Sequence, residues 1–210
     1  MTQKLIQLFT VGLLFLLSTT AVLSQQRISS PVGPPENWVR PFEGFRIIGN
    51  LYGVGSYDLS VFLITTEDGH ILINTGLADS TQMIRSNIES LGFKLEDIKI
   101  LLTQQAHWDH TAALSEIKDI TGAEIWATVG DARVLEDGGF SDPHFGGRES
   151  FRPVDVDRII RDGEIIRLGD LELTVHHHPG HTEGSSSYSF VVGGESDIEY
   201  NVSCEYGHHQ

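Results

Sequence analysis

The chain has 210 residues, 40% of them hydrophobic and 20% charged, with a formal net charge of −15. That length carries one sizeable domain with its own core, and the composition is that of an ordinary globular fold. The acidity argues against nucleic acid or an anionic membrane as partner, because both attract basic surfaces; the single cysteine, Cys204, excludes an intrachain disulfide.

Residues 1–24 read as a secretory signal peptide. Lys4 supplies a positive start, Leu5 to Leu17 is mostly apolar, and Val22 and Ser24 suit a cleavage site before Gln25. The apolar stretch is short against the roughly 20 residues of a membrane span. Residues 25–44 form a leader, and its prolines at 31, 34, 35 and 41 predict extended chain over Arg27 to Pro41.

Ser60 to Thr66 and Ile71 to Ile73 are apolar and β-branched around Glu67-Asp68-Gly69-His70, which predicts a β-hairpin with His70 exposed at its tip. Asp79 or Ser80 can cap a helix running to about Leu91, with Ile84, Ile88 and Leu91 on one stripe and Gly92 as the stop. Ile100-Leu101-Leu102 predicts a short buried strand. A helix is expected over Thr111 to Ile120, a strand over Glu124 to Thr128, and a glycine-rich loop over Gly138 to Pro153 that could rim a cleft. Short strands then follow at Arg158 to Ile160, Glu164 to Leu168, Leu171 to Val175 and Ser186 to Val192, separated by turn pairs such as Asp162-Gly163 and Gly169-Asp170. Ile198 to Val202 begins like another strand. The order predicts an α/β fold with sheets packed in the middle and helices outside.

The chemistry concentrates in Gln105-Ala106-His107-Trp108-Asp109-His110, directly after the buried strand, and in Pro179-Gly180-His181-Thr182. Gln105 and His107 are two apart, so both can point the same way from extended backbone. Asp109 and His110 are adjacent and can diverge toward a second point. Neutral imidazole and carboxylate are zinc ligands, and this spacing suits two neighbouring cations better than one. Taken alone, it also fits a polar helix start capped by Asp109. Trp108 could pack to fix the loop. His144 reads as a rim residue, and His176-His177-His178 as polar residues at a strand end.

Gln105-Ala-His107-Trp-Asp109-His110 resembles the His-x-His-x-Asp-His signature of the metallo-β-lactamase superfamily, with Gln in the first position, and Pro179-Gly-His181-Thr resembles its next motif. Within that superfamily the chain is similar to subclass B3, and to its GOB branch, where Gln also stands first. Asn50 to Leu59, Ile71-Leu-Ile-Asn-Thr-Gly76 and His176 to Thr182 carry the likeness further. The resemblance implies an αββα sandwich over residues 45–210, with the C-terminal part missing. It implies Zn(2+), one or two ions, the first on Gln105, His107 and His181 and the second on Asp109 and His110. The family's last His ligand has no counterpart here; His208 and His209 lie close to His181 and lack its context. Asn74 stands where most of the superfamily has Asp. Ser185, Ser186 and Ser187 resemble a serine-rich stretch whose hydroxyls could touch a substrate carboxylate.

The activity so implied is hydrolysis of the β-lactam amide bond by a metal-bound hydroxide, with Asp109 catalytic in orienting the water and a small-molecule antibiotic as substrate. Export to the periplasm accords with that. The superfamily also hosts lactone and thioester hydrolases, and an inert shortened relative is a further alternative.

Overall fold

The structure is a computed structural model that describes residue 28, residues 33–194 and residues 198–205. The predicted signal peptide, His208 and His209 lie outside the described residues. Among the described residues no helix is long and apolar enough to cross a membrane.

Eleven strands form two sheets among these residues. The first runs in spatial order β1 (Phe45–Ile48), β2 (Leu51–Gly53), β3 (Phe62–Thr66), β4 (Gly69–Ile73), β5 (Ile98–Leu102), β6 (Glu124–Thr128) and β7 (Arg158–Ile160). β1 to β4 pair antiparallel, and β4 to β7 parallel. The second sheet is antiparallel, in the order β11 (Glu199–Cys204), β10 (Ser186–Gly193), β9 (Leu171–His177) and β8 (Ile165–Leu168).

Alternation of side chains along the first sheet builds two cores. Leu63, Leu72 and Leu101 pack on one face, against Ile84 and Ile88 of α2 (Thr81–Ser90), Ile117 of α4 (Leu114–Thr121) and Leu135 of α5 (Val129–Asp137). Ile64, Ile71, Ile73, Ile100 and Leu102 face the other way, onto Leu173, Val175, Tyr188 and Phe190 of the second sheet. Both faces of the middle strands β4 to β6 are therefore largely buried, as their apolar runs require, while the edge strand β1 stays exposed. The described residues make three layers, helices on sheet on sheet, in the metallo-β-lactamase arrangement expected from the motifs.

Several expectations change. The leader is not extended throughout: Glu36–Val39 forms a single helical turn, α1, because Pro35 presets the entry and Glu36 suits a first turn. His70 is not an exposed tip. The turn lies at Glu67-Asp68, so His70 pairs with Thr65 inside the hairpin, only 6% exposed and edge-on to Phe93 at 5.3 Å. The helix expected from Thr111 begins earlier, as α3 (Trp108–Thr111), and restarts after Ala112-Ala113 as α4. β7 extends the first sheet in parallel and does not join the later antiparallel strands. α5 was not expected at all; Gly130 and the buried Asp131 interrupt its apolar stripe.

Candidate metal centre

The centre is assembled from both sheets. β5 ends at Leu102 and the chain runs through Thr103-Gln104-Gln105-Ala106 to His107, which stands in extended conformation at the head of α3. β9 ends at His177 and its following loop carries His181. A web of buried hydrogen bonds stitches the first loop to the second sheet. Ser186 N donates to Gln104 O at 2.9 Å, Tyr188 Oη donates to Thr103 O at 2.7 Å, and Gln104 Nε2 donates to Cys204 O at 2.8 Å.

This web brings His107 Nδ1 to 3.1 Å from His181 Nε2 across 74 residues of sequence. Two nitrogens each about 2.0–2.1 Å from one tetrahedral ion would stand about 3.3 Å apart, so the pair is spaced for shared coordination. Asp109 Oδ2 and His110 Nε2 form a second pair at 3.6 Å. Among the described residues, no group of three His, Cys, Asp or Glu converges to hold a metal by itself. Among the described residues, a third donor for the histidine pair would be of another type. Gln105 is 4% exposed, and its Oε1 is buried without a hydrogen-bond partner. Leaving a buried amide oxygen unpaired costs about 1–3 kcal/mol, and a cation would satisfy it. The residues present therefore fit a metal ion.

Electrostatics keep the imidazoles in the ligating form. Burial pushes the His110 pKa down to about 4, with His181 adding to the shift. Burial also lowers His107, partly opposed by Asp142. Asp142 is a residue that sequence reasoning missed. Its carboxylate accepts the amides of His144 and Phe145 at 3.3 and 2.8 Å, and it faces His107 Nε2 at 3.6 Å. An Asp in a glycine-rich loop looks like turn chemistry, and nothing local in the sequence says that the loop folds back over His107.

The cleft above the pair has a volume of about 460 Å³ and is walled by Trp38, Trp108, His144 and Phe145. Trp108 fixes the loop as expected, buried against Trp38 at 5.7 Å. His144 takes its place on the rim. His176 and His177 serve the strand end, bonding to Ser189 Oγ and Glu183 O.

Ser185, Ser186 and Ser187 do not reach the cleft. They are buried, and none lines it. The Ser185 hydroxyl accepts the Thr182 amide at 2.9 Å, and that of Ser186 turns to Tyr188. Ser186 shares the seam-facing side of β10 with Tyr188 and Phe190, Ser187 alternates to the other side, and Ser185 precedes the strand.

Asn74 holds the loop from beneath. It has a left-handed backbone (φ 65°), which Asn tolerates. Its Oδ1 accepts Gln104 N at 3.0 Å, and its Nδ2 donates to Gln104 Oε1 at 2.7 Å and Ser60 O at 3.2 Å.

The sequence model of the metallo-beta-lactamase superfamily matches residues 57–194. The chain belongs to the metallo-β-lactamase superfamily. Among solved structures it is similar to the metallo-β-lactamase GOB-18 of Elizabethkingia meningoseptica, at 46% identity and a TM-score of 0.83, covering 86% of this chain and 67% of that one. It is also similar to LRA-12, a class B3 di-zinc metallo-β-lactamase from an Alaskan soil metagenome, at 50% identity and a TM-score of 0.81, covering 84% and 67%. These likenesses support subclass B3. Among curated proteins it matches a hydroxyacylglutathione hydrolase of Rhodospirillum rubrum, 33% identical over 103 residues, which is 49% of this chain and 32% of the relative. The chain thus spans about two thirds of these solved neighbours and about a third of that relative.

Proposed function

We propose that the protein hydrolyses the amide bond of β-lactams in the periplasm, with Zn(2+) as cofactor. The observation that carries the reading is the 3.1 Å approach of His107 Nδ1 to His181 Nε2, together with the buried unpaired Oε1 of Gln105. Gln105, His107 and His181 would hold one ion, and Asp109 and His110 a second. Zinc, when bound, supplies a hydroxide nucleophile near neutral pH and polarises the carbonyl.

The chain's own groups do the rest. Asp109 presents a carboxylate oxygen beside His110 at the cleft, where it can orient the attacking water. Trp38, Trp108 and Phe145 wall the cleft with aromatic surface, which limits bulk water and offers a bicyclic substrate apolar rings to pack against. No serine nucleophile is needed, and the buried Ser185 to Ser187 would not provide one.

The likeness to class B3 enzymes favours a β-lactam. The match to hydroxyacylglutathione hydrolases supports a second reading, a thioester as substrate. Purified protein would be assayed for zinc by mass spectrometry and for turnover of a carbapenem, a lactone and a glutathione thioester. Carbapenem turnover that disappears with a chelator and returns with zinc is expected. Thioester turnover without carbapenem turnover would replace the first reading with the second. No zinc and no turnover of any of the three would overturn both.

A further inference from the structure

The first turn of α5 is pressed against the His181 loop more closely than packing alone requires. A Cβ added at Gly130 would lie 2.6 Å from the carbonyl oxygen of Glu183 and from the amide nitrogen of Gly184. One added at Gly184 would collide with Asp131 Cγ and Thr128 Oγ1. Both positions are glycine because two backbones meet there. The contact is hydrogen-bonded in both directions: Thr128 Oγ1 donates to Gly184 O at 2.9 Å, and Gly184 N donates to Asp131 Oδ1 at 3.1 Å.

Asp131 is only 2% exposed and belongs to no part of the centre described above. Besides the bonded Gly184 amide, the Thr182 hydroxyl and the Ala106 amide lie close enough to its carboxyl to favour the charged form. Ala106 lies between Gln105 and His107, and Thr182 follows His181. One carboxyl therefore faces both ligand loops, bonded to the second of them. The Thr182 hydroxyl is itself backed by Ser185 Oγ at 2.9 Å. That gives the buried Ser185 a structural role behind the His181 loop.

We infer that Asp131, backed by Thr128, is a positioning residue that ties the Gln105–His107 loop to the His181 loop and so sets the spacing of the two imidazoles. The inference rests on the reading of this site as a zinc centre. Burial pushes the Asp131 pKa up to about 6, so a purely structural polar residue would sit here at less cost as Asn.

The test compares the full chain with Asp131→Ala, Asp131→Asn and Thr128→Val. Zinc alone is titrated in competition with a chromophoric chelator. Amide hydrogen exchange at Ala106 and Gly184 is followed in the zinc-free protein. Asp131→Ala should weaken zinc binding roughly 10- to 100-fold, the range typical of residues that orient ligands, and should speed exchange at both amides. Asp131→Asn keeps an acceptor oxygen and should fall between, while its denaturation midpoint at pH 8 is no lower than wild type. Thr128→Val should speed exchange at Gly184. If Asp131→Ala fails to fold, Asp131→Asn and Thr128→Val carry the measurement. Unchanged exchange at both amides in whichever Asp131 variants fold overturns the inference. Failure of the wild type to bind zinc overturns the functional reading instead, and the exchange data then still decide the clamp.

Discussion

Asn74 shows how one buried amide can commit a whole loop. It gives two hydrogen bonds through Nδ2 and accepts the Gln104 amide through Oδ1. A carboxylate in its place could still accept, but it could not donate to Gln104 Oε1. Gln104 would have to turn its amide over, and its bond to Cys204 O would break. Asn74→Asp is therefore expected to lose about 1–3 kcal/mol, the cost of leaving such groups unpaired; a urea midpoint equal to wild type would refute this. Asp131 makes a complementary case for pH. Its carboxyl holds a proton up to about 6 in the folded chain, against an ordinary value of 3.8. The folded state thus binds more protons than the unfolded one in that interval, and stability is lost as pH rises through it, by up to about 3 kcal/mol. Asp131→Asn removes this loss. The gap between variant and wild type, measured by urea unfolding of zinc-free protein, should open between pH 4 and pH 6.5 and then stay constant.

α5 was illegible in the sequence, and the reason is physical. Its buried positions are Asp131, Ala132, Val134 and Leu135, so its inward stripe mixes a carboxylate with small apolar groups. Gly130, which lowers helix propensity, is there for the close approach to Gly184. The strands read well because alternation along β3, β4 and β5 serves two cores at once. The metal-site candidates stood out as a cluster, since Gln105, His107, Asp109 and His110 follow a buried strand within one short loop, and the structure sets His107 against His181. What failed was a turn placed one pair too late: His70 was expected at an exposed hairpin tip, yet it is buried within the strand pair. Gly130→Ala tests the α5 contact directly. It improves propensity by up to about 1 kcal/mol but drives a methyl into backbone, so a net loss of about 1–3 kcal/mol is expected. A thermal melt that moves upward would show that the contact yields.

For the molecule as a whole, binding an ion is equivalent to folding energy, because the unfolded chain has no paired imidazoles. Zinc at a hundred times its dissociation constant should add about 2.7 kcal/mol. For a chain of this size that is roughly 5–10 °C in Tm, fully reversed by a chelator. A melt indifferent to both additions would speak against a centre built on His107 and His181.

The stitching of Thr103 and Gln104 onto Ser186, Tyr188 and Cys204 has a mechanical corollary. One imidazole hangs from each sheet, so the pair acts as a vernier on their alignment. A slip of half an ångström between the two plates would barely disturb the aliphatic side chains between them, yet it would change the nitrogen spacing by a large fraction of a bond length. Substitutions deep in the inter-sheet core, far from any reacting atom, should therefore register first in ion affinity and only later in thermal collapse.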